Sequence, residues 1–110
     1  MKKYLKNILF ILLSVIACSL HSAEILIQMD NTQKNHLKAY GIAYWILENQ
    51  VEVDWLLNYR GGSFACKHID QIENELKIRG VSYTVIADAQ YTAILSEIAD
   101  PSSNTDVIKL

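Results

Sequence analysis

The chain has 110 residues, 51% of them hydrophobic and 20% charged, with a formal net charge of −2. That is the length of one domain. The absence of any basic excess argues against a nucleic-acid binder, and two cysteines are too few for a disulfide framework or a cysteine metal cluster.

Residues 1–23 read as a signal peptide. Lys2, Lys3 and Lys6 form a basic start, Ile8 to Ala17 is an apolar run, and a polar stretch ends at Ala23. The apolar run is short for a membrane span, which takes about 20 residues. Cleavage after Ser22 or Ala23 gives a soluble exported chain. Val15-Ile16-Ala17-Cys18 is a passable lipobox and offers the other outcome, a lipidated Cys18. Either way the destination is the periplasm or the extracellular space, and the membrane is met only through the leader or a lipid. Without Lys2, Lys3 and Lys6, seven basic residues face twelve acids, a formal charge of −5.

Glu24 to Met29 (Glu-Ile-Leu-Ile-Gln-Met) has apolar residues that are continuous rather than alternating, the pattern of a strand buried on both faces. Asp30 with Gln33 three places on resembles a capping pair for a first helix. Leu37, Tyr40, Gly41, Tyr44, Trp45 and Leu47 recur along it, with Ile42, Ala43 and Ile46 between, so the helix is apolar nearly all round. It is expected to lie between the sheet and another layer, with Gly41 allowing close approach to a strand. Val51 to Tyr59 is the second strand, broken by Arg60-Gly61-Gly62-Ser63. His68 to Arg79 is the second helix, closed by Gly80. Val81 to Ala87 is the third strand, and Gln90 to Ala99 the third helix, ended by Pro101. Residues 101–110 read as a linker and the opening of a further strand. The chain is thus expected to be the front piece of a longer protein.

Three strand–polar cluster–helix units in 24–100 predict a Rossmann-like α/β module. Its form would be three layers around a short parallel sheet, an N-terminal fragment of a larger domain. Parallel strands would deliver their carboxyl-terminal loops to one rim, which makes Asp30, Gln33, His36, Arg60, Gly61, Gly62, Ser63 and Asp88 the ligand-binding candidates. His36 has the titration range of a general base. Arg60 and the Gly61 and Gly62 amides suit an anion. Asp88 sits where an acid meets a ribose hydroxyl in dinucleotide folds. Each has a plainer reading: Asp30 and Asp88 as helix caps, His36 as a surface residue, the glycines as a tight turn. The expected ligand is small and polar or anionic. No metal spacing of the HxxxH or HExxH kind occurs, no glycine fingerprint follows the first strand, and no cofactor is specified. Cys66 reads as a buried structural thiol, Trp55 as core, and Asp54 as lying on an exposed face.

Met29-Asp30, Gln33, Asn35 to Trp45, Glu52 to Phe64, Ile78 to Ser82 and Asp88-Ala89-Gln90 resemble the front region of exported bacterial proteins labelled asparagine synthetase B. The likeness runs from Glu24 to Leu110. It implies export, an α/β front module and a longer protein acting as a hydrolase or transferase. It does not carry amide-transfer residues: Lys2 rather than a nucleophilic cysteine follows Met1, and Arg60-Gly61-Gly62-Ser63 shares only Gly-Gly with a Ser-Gly-Gly-x-Asp-Ser pyrophosphate loop. The other expectation is a non-catalytic binding or scaffold module at the cell envelope.

Overall fold

The computed structural model describes residues 23–110; the expected leader, apart from Ala23, and Cys18 with it lie outside them. The elements run β1 (Ala23–Ile27), α1 (His36–Glu48), β2 (Val53–Leu57), β3 (Ser63–Lys67), α2 (Asp70–Arg79), β4 (Thr84–Ala87), α3 (Asp88–Ala99) and β5 (Asp106–Lys109). The five strands form one sheet in the order β4-β1-β3-β2-β5, and every neighbouring pair is antiparallel. The expectation of a parallel Rossmann-like module is therefore wrong. The first six elements make a split βαβ arrangement of the ferredoxin-like kind, and α3 with β5 extends it.

One hairpin accounts for the difference. From sequence, Ser63 falls in a loop and residues 64–67 in no element, but Ser63 to Lys67 is β3, hydrogen-bonded to β2 on one side and β1 on the other. Arg60-Gly61-Gly62 turns the chain between β2 and β3, with Arg60 at φ 45°, Gly61 at 80° and Gly62 at 87°. Paired apolar runs flanking Gly-Gly are a hairpin signal. Reversal at this turn makes β3 and β4 run opposite to β1 and β2. The βα crossovers exist, yet each spans a gap filled by an antiparallel strand.

Both faces of the sheet are covered, which explains the continuous apolar runs without parallel pairing. Ile25 and Ile27 of β1, Val53 of β2 and Phe64 and Cys66 of β3 pack against Ala39, Ile42, Ala43 and Ile46 of α1 and Ile72 and Leu76 of α2. Leu26, Leu56, Ala65 and Ile86 point the other way, onto Tyr91 and Ile98 of α3. Alternation along each strand feeds both cores.

Capping also departs from expectation. Asn35, not Asp30, caps α1, its side chain accepting from the Lys38 amide at 3.1 Å. Gly80 does end α2 in the left-handed conformation, at φ 68°. The outer side of α1 carries Leu37 and Tyr44 at 83 and 66% exposure, uncovered among the described residues, while Tyr40, half exposed, meets the Phe64 ring edge-on with centres 5.8 Å apart. Gly41 is on that side too. A Cβ there would meet nothing within 4 Å, so it serves no close approach to a strand. Trp55 is partly buried, stacked on Phe64 with ring centres 6.3 Å apart. No helix among the described residues is long and apolar enough to cross a membrane.

Candidate functional site

The antiparallel sheet divides the predicted site residues between two ends of the molecule. Asp30 and Arg60 follow the carboxyl ends of β1 and β2, which run the same way. Asp88 follows β4, whose last residue Ala87 pairs with Ala23 at the start of β1. Asp88 thus lies at the opposite end of the sheet from Asp30, and the expected shared rim does not exist.

The seven that remain at the first end are woven into the fold. Arg60 Nε donates to Asp30 Oδ2 at 2.7 Å, and its Nη2 donates to Thr32 Oγ1 at 3.2 Å. Asp30 Oδ1 also accepts the Thr32 amide at 3.0 Å and the Thr32 hydroxyl at 2.5 Å. Hydrogen bonds from Thr32 and then Arg60 hold the Asp30 carboxyl well below its ordinary value, at about 2. The Met29 amide donates to the Arg60 carbonyl at 3.1 Å, joining the two loops through backbone as well. His36 Nε2 lies 3.1 Å from both the Met29 and Asp30 carbonyls.

Two of the turn's amides face inward. Gly62 N and Ser63 N both donate to the Tyr59 carbonyl at 3.0 Å. The Ser63 hydroxyl donates to Arg60 O, and the Gly62 carbonyl accepts Trp55 Nε1 at 3.1 Å. Gly61 sits against the Met29 carbonyl, where a Cβ would collide. Gln33 is buried. Its amide nitrogen donates to Gln28 O and Ser82 O at 2.8 and 2.9 Å, while its oxygen accepts the Ser82 amide at 2.8 Å. It pins the loop before α1 to the segment before β4.

The other end of the sheet holds a groove of about 510 Å³ on the α3 face. Glu24, Asp54, Lys67 and Lys109 floor it from four strands, and Tyr91 and Leu95 of α3 wall one side. Strand periodicity puts these groups together: Glu24 pairs across with Lys67, and Asp54 with Lys109. The Tyr91 hydroxyl donates to Asp54 Oδ2 at 2.6 Å, and Lys109 Nζ stands 3.8 Å from Oδ1. Burial, and then the negative charges of Asp88 and Asp54, push the Glu24 carboxyl above its ordinary value. Burial and the Asp54 bond push Tyr91 upward. Cys66, in the strand beneath, is raised to about 12 by burial and by Glu24 and Asp54, which makes it inert.

Sequence reasoning passed over this groove. Asp54 was expected on an exposed face, and its pairing with Tyr91 spans 37 positions. Alternation of charged with apolar residues in Glu52-Val53-Asp54 was the available signal.

No family model, no curated protein and no solved structure matches the chain.

Proposed function

We propose that this chain is a ligand-binding α+β module of an exported protein akin to the family labelled asparagine synthetase B, and that its ligand is a small polar molecule carrying an amine. The observation that carries the reading is the groove: two carboxylates on adjacent parts of one sheet face, with lysines beside them, in a space of about 510 Å³ that suits a small molecule. Asp54, oriented by Tyr91, gives a cation a fixed partner. Glu24 holds its proton more tightly than an ordinary carboxyl and adds a hydrogen-bonding group. Lys67 and Lys109 would meet the anionic end of a zwitterion. The Arg60 loop supports an anion site less well, since the Gly62 and Ser63 amides point to Tyr59 and the guanidinium to Asp30. Export rests on the leader pattern, and kinship on the residue runs given above.

L-Lysine and glutarate, a dicarboxylate without an amine, titrated separately into the ¹⁵N-labelled chain, test the reading. Lysine should shift the amides of residues 24, 54 and 67, and Asp54→Asn or Glu24→Gln should weaken that response about tenfold. Equal responses to both compounds, or none in this region, would overturn it.

A further inference from the structure

We propose that His68, Asp70 and Glu73 form a binding site for a divalent transition-metal cation at the junction of β3 and α2, separate from the groove. Each offers one ligand atom, and the three atoms lie within 4.8 Å of one another. His68 leaves the end of β3 with its amide fixed on the Ala23 carbonyl at 3.0 Å. Asp70 and Glu73 stand three apart in the first turn of α2, which puts both carboxylates on one side of the helix. A single atom, His68 Nε2, faces both: it is 2.8 Å from Glu73 Oε1 and 3.9 Å from Asp70 Oδ1.

Nitrogen and oxygen ligands bind zinc at about 2.0–2.2 Å, and tetrahedral placement then sets them roughly 3–3.5 Å apart. The observed spacings straddle that value, so small side-chain rotations would admit a cation, with the Nε2 proton that now faces Glu73 Oε1 released to solvent as the nitrogen becomes a ligand. Glu73 is already oriented for the task. Its second oxygen, Oε2, accepts the Tyr83 hydroxyl at 2.7 Å and has Lys77 Nζ at 4.0 Å, which leaves Oε1 turned toward His68. Tyr83 comes from the segment before β4 and so acts as the outer partner that fixes a ligating carboxylate. One imidazole with two carboxylates suits zinc, manganese, iron or nickel. It is too nitrogen-bearing for a calcium site and lacks the sulfur that copper(I) selects.

The competing account is a plain His68–Glu73 ion pair, and it predicts the opposite results. The full chain, stripped with chelator, is titrated with ZnCl₂ in a calorimeter and with MnCl₂ by NMR. One zinc site is expected, weakened tenfold or more by His68→Gln, Glu73→Gln and Asp70→Asn and unchanged by His36→Gln. Manganese broadening should centre on residues 68–73. Asp70→Asn alters a side chain that is 95% exposed, so this variant keeps the fold. Absence of zinc binding, wild-type affinity in the Asp70→Asn protein, or broadening centred elsewhere would each overturn the site.

Discussion

Arg60 and Asp30 meet at 2.7 Å, thirty residues apart in sequence, and their contact ties the turn between β2 and β3 to the loop between β1 and α1. Hydrogen bonds from Thr32 and Arg60 hold the Asp30 carboxyl at about 2, against 3.8 for an ordinary aspartate. The folded-state value is the lower one. Ionised Asp30 therefore stabilises the fold above the ordinary value, and that contribution is lost as pH falls through about 2. Thermal unfolding of Asp30→Asn should show a shallower decline in Tm than wild type between about pH 4 and pH 2. Parallel acid profiles for the two proteins would contradict the contact.

Three glycines should answer alanine substitution differently. Gly41 is helical, exposed and faces open space, so Gly41→Ala should stabilise by about 0.4–1 kcal/mol. Gly80 has open space but φ 68°, and Gly80→Ala should cost about 1 kcal/mol. Gly61 combines φ 80° with collision against the Met29 carbonyl, so Gly61→Ala should be the most damaging. Urea unfolding of the three variants gives the ranking.

The two-faced sheet makes its own prediction. Ile42 and Leu56 are both fully buried but on opposite faces. Each change to alanine should cost roughly 2–5 kcal/mol, and the two costs should add, since the residues share no cluster. Tyr44→Ser, on the uncovered side of α1, should change stability by less than about 0.5 kcal/mol. If Leu56→Ala is harmless in denaturant titration, α3 does not pack where described.

Tyr91 is 8% exposed and donates to a carboxylate. Tyr91→Phe should therefore cost about 1.5–3 kcal/mol, the range for hydrogen bonds to charged groups, with Asp54 left short of a donor. Beneath the same groove, Cys66 should resist iodoacetamide at pH 8 in the folded protein and react fully in guanidinium, as read by peptide mass spectrometry. Rapid native labelling of the Cys66 peptide would contradict its burial.

Much of the local structure could be read directly. The strands expected at Glu24–Met29, Val51–Tyr59 and Val81–Ala87 contain most of β1 and all of β2 and β4, and the helix expected to close at Gly80 is α2. The strand expected near the end is present as β5. What failed was direction. Ser63-Phe64-Ala65-Cys66-Lys67 is short, and Arg60-Gly61-Gly62 reads by itself as an anion loop or a tight turn into a helix rather than as a hairpin turn. Missing that strand reversed everything downstream, which is why Asp88 was assigned to the wrong end. The groove was hidden for a related reason: Glu24, Lys67, Asp54 and Lys109 come together only through strand order, which no local window contains.

The amino-acid order by itself determined four of the five strands, the three helices and the two-sided burial of β1, because alternation, spacing and caps act between residues a few places apart. Tertiary structure alone decided that β3 inserts between β1 and β2, that α3 covers the second face, and that acids and lysines from four strands share one groove. Those outcomes depend on pairing between distant segments, where hydrogen-bond register and burial of the whole sheet outweigh any local preference.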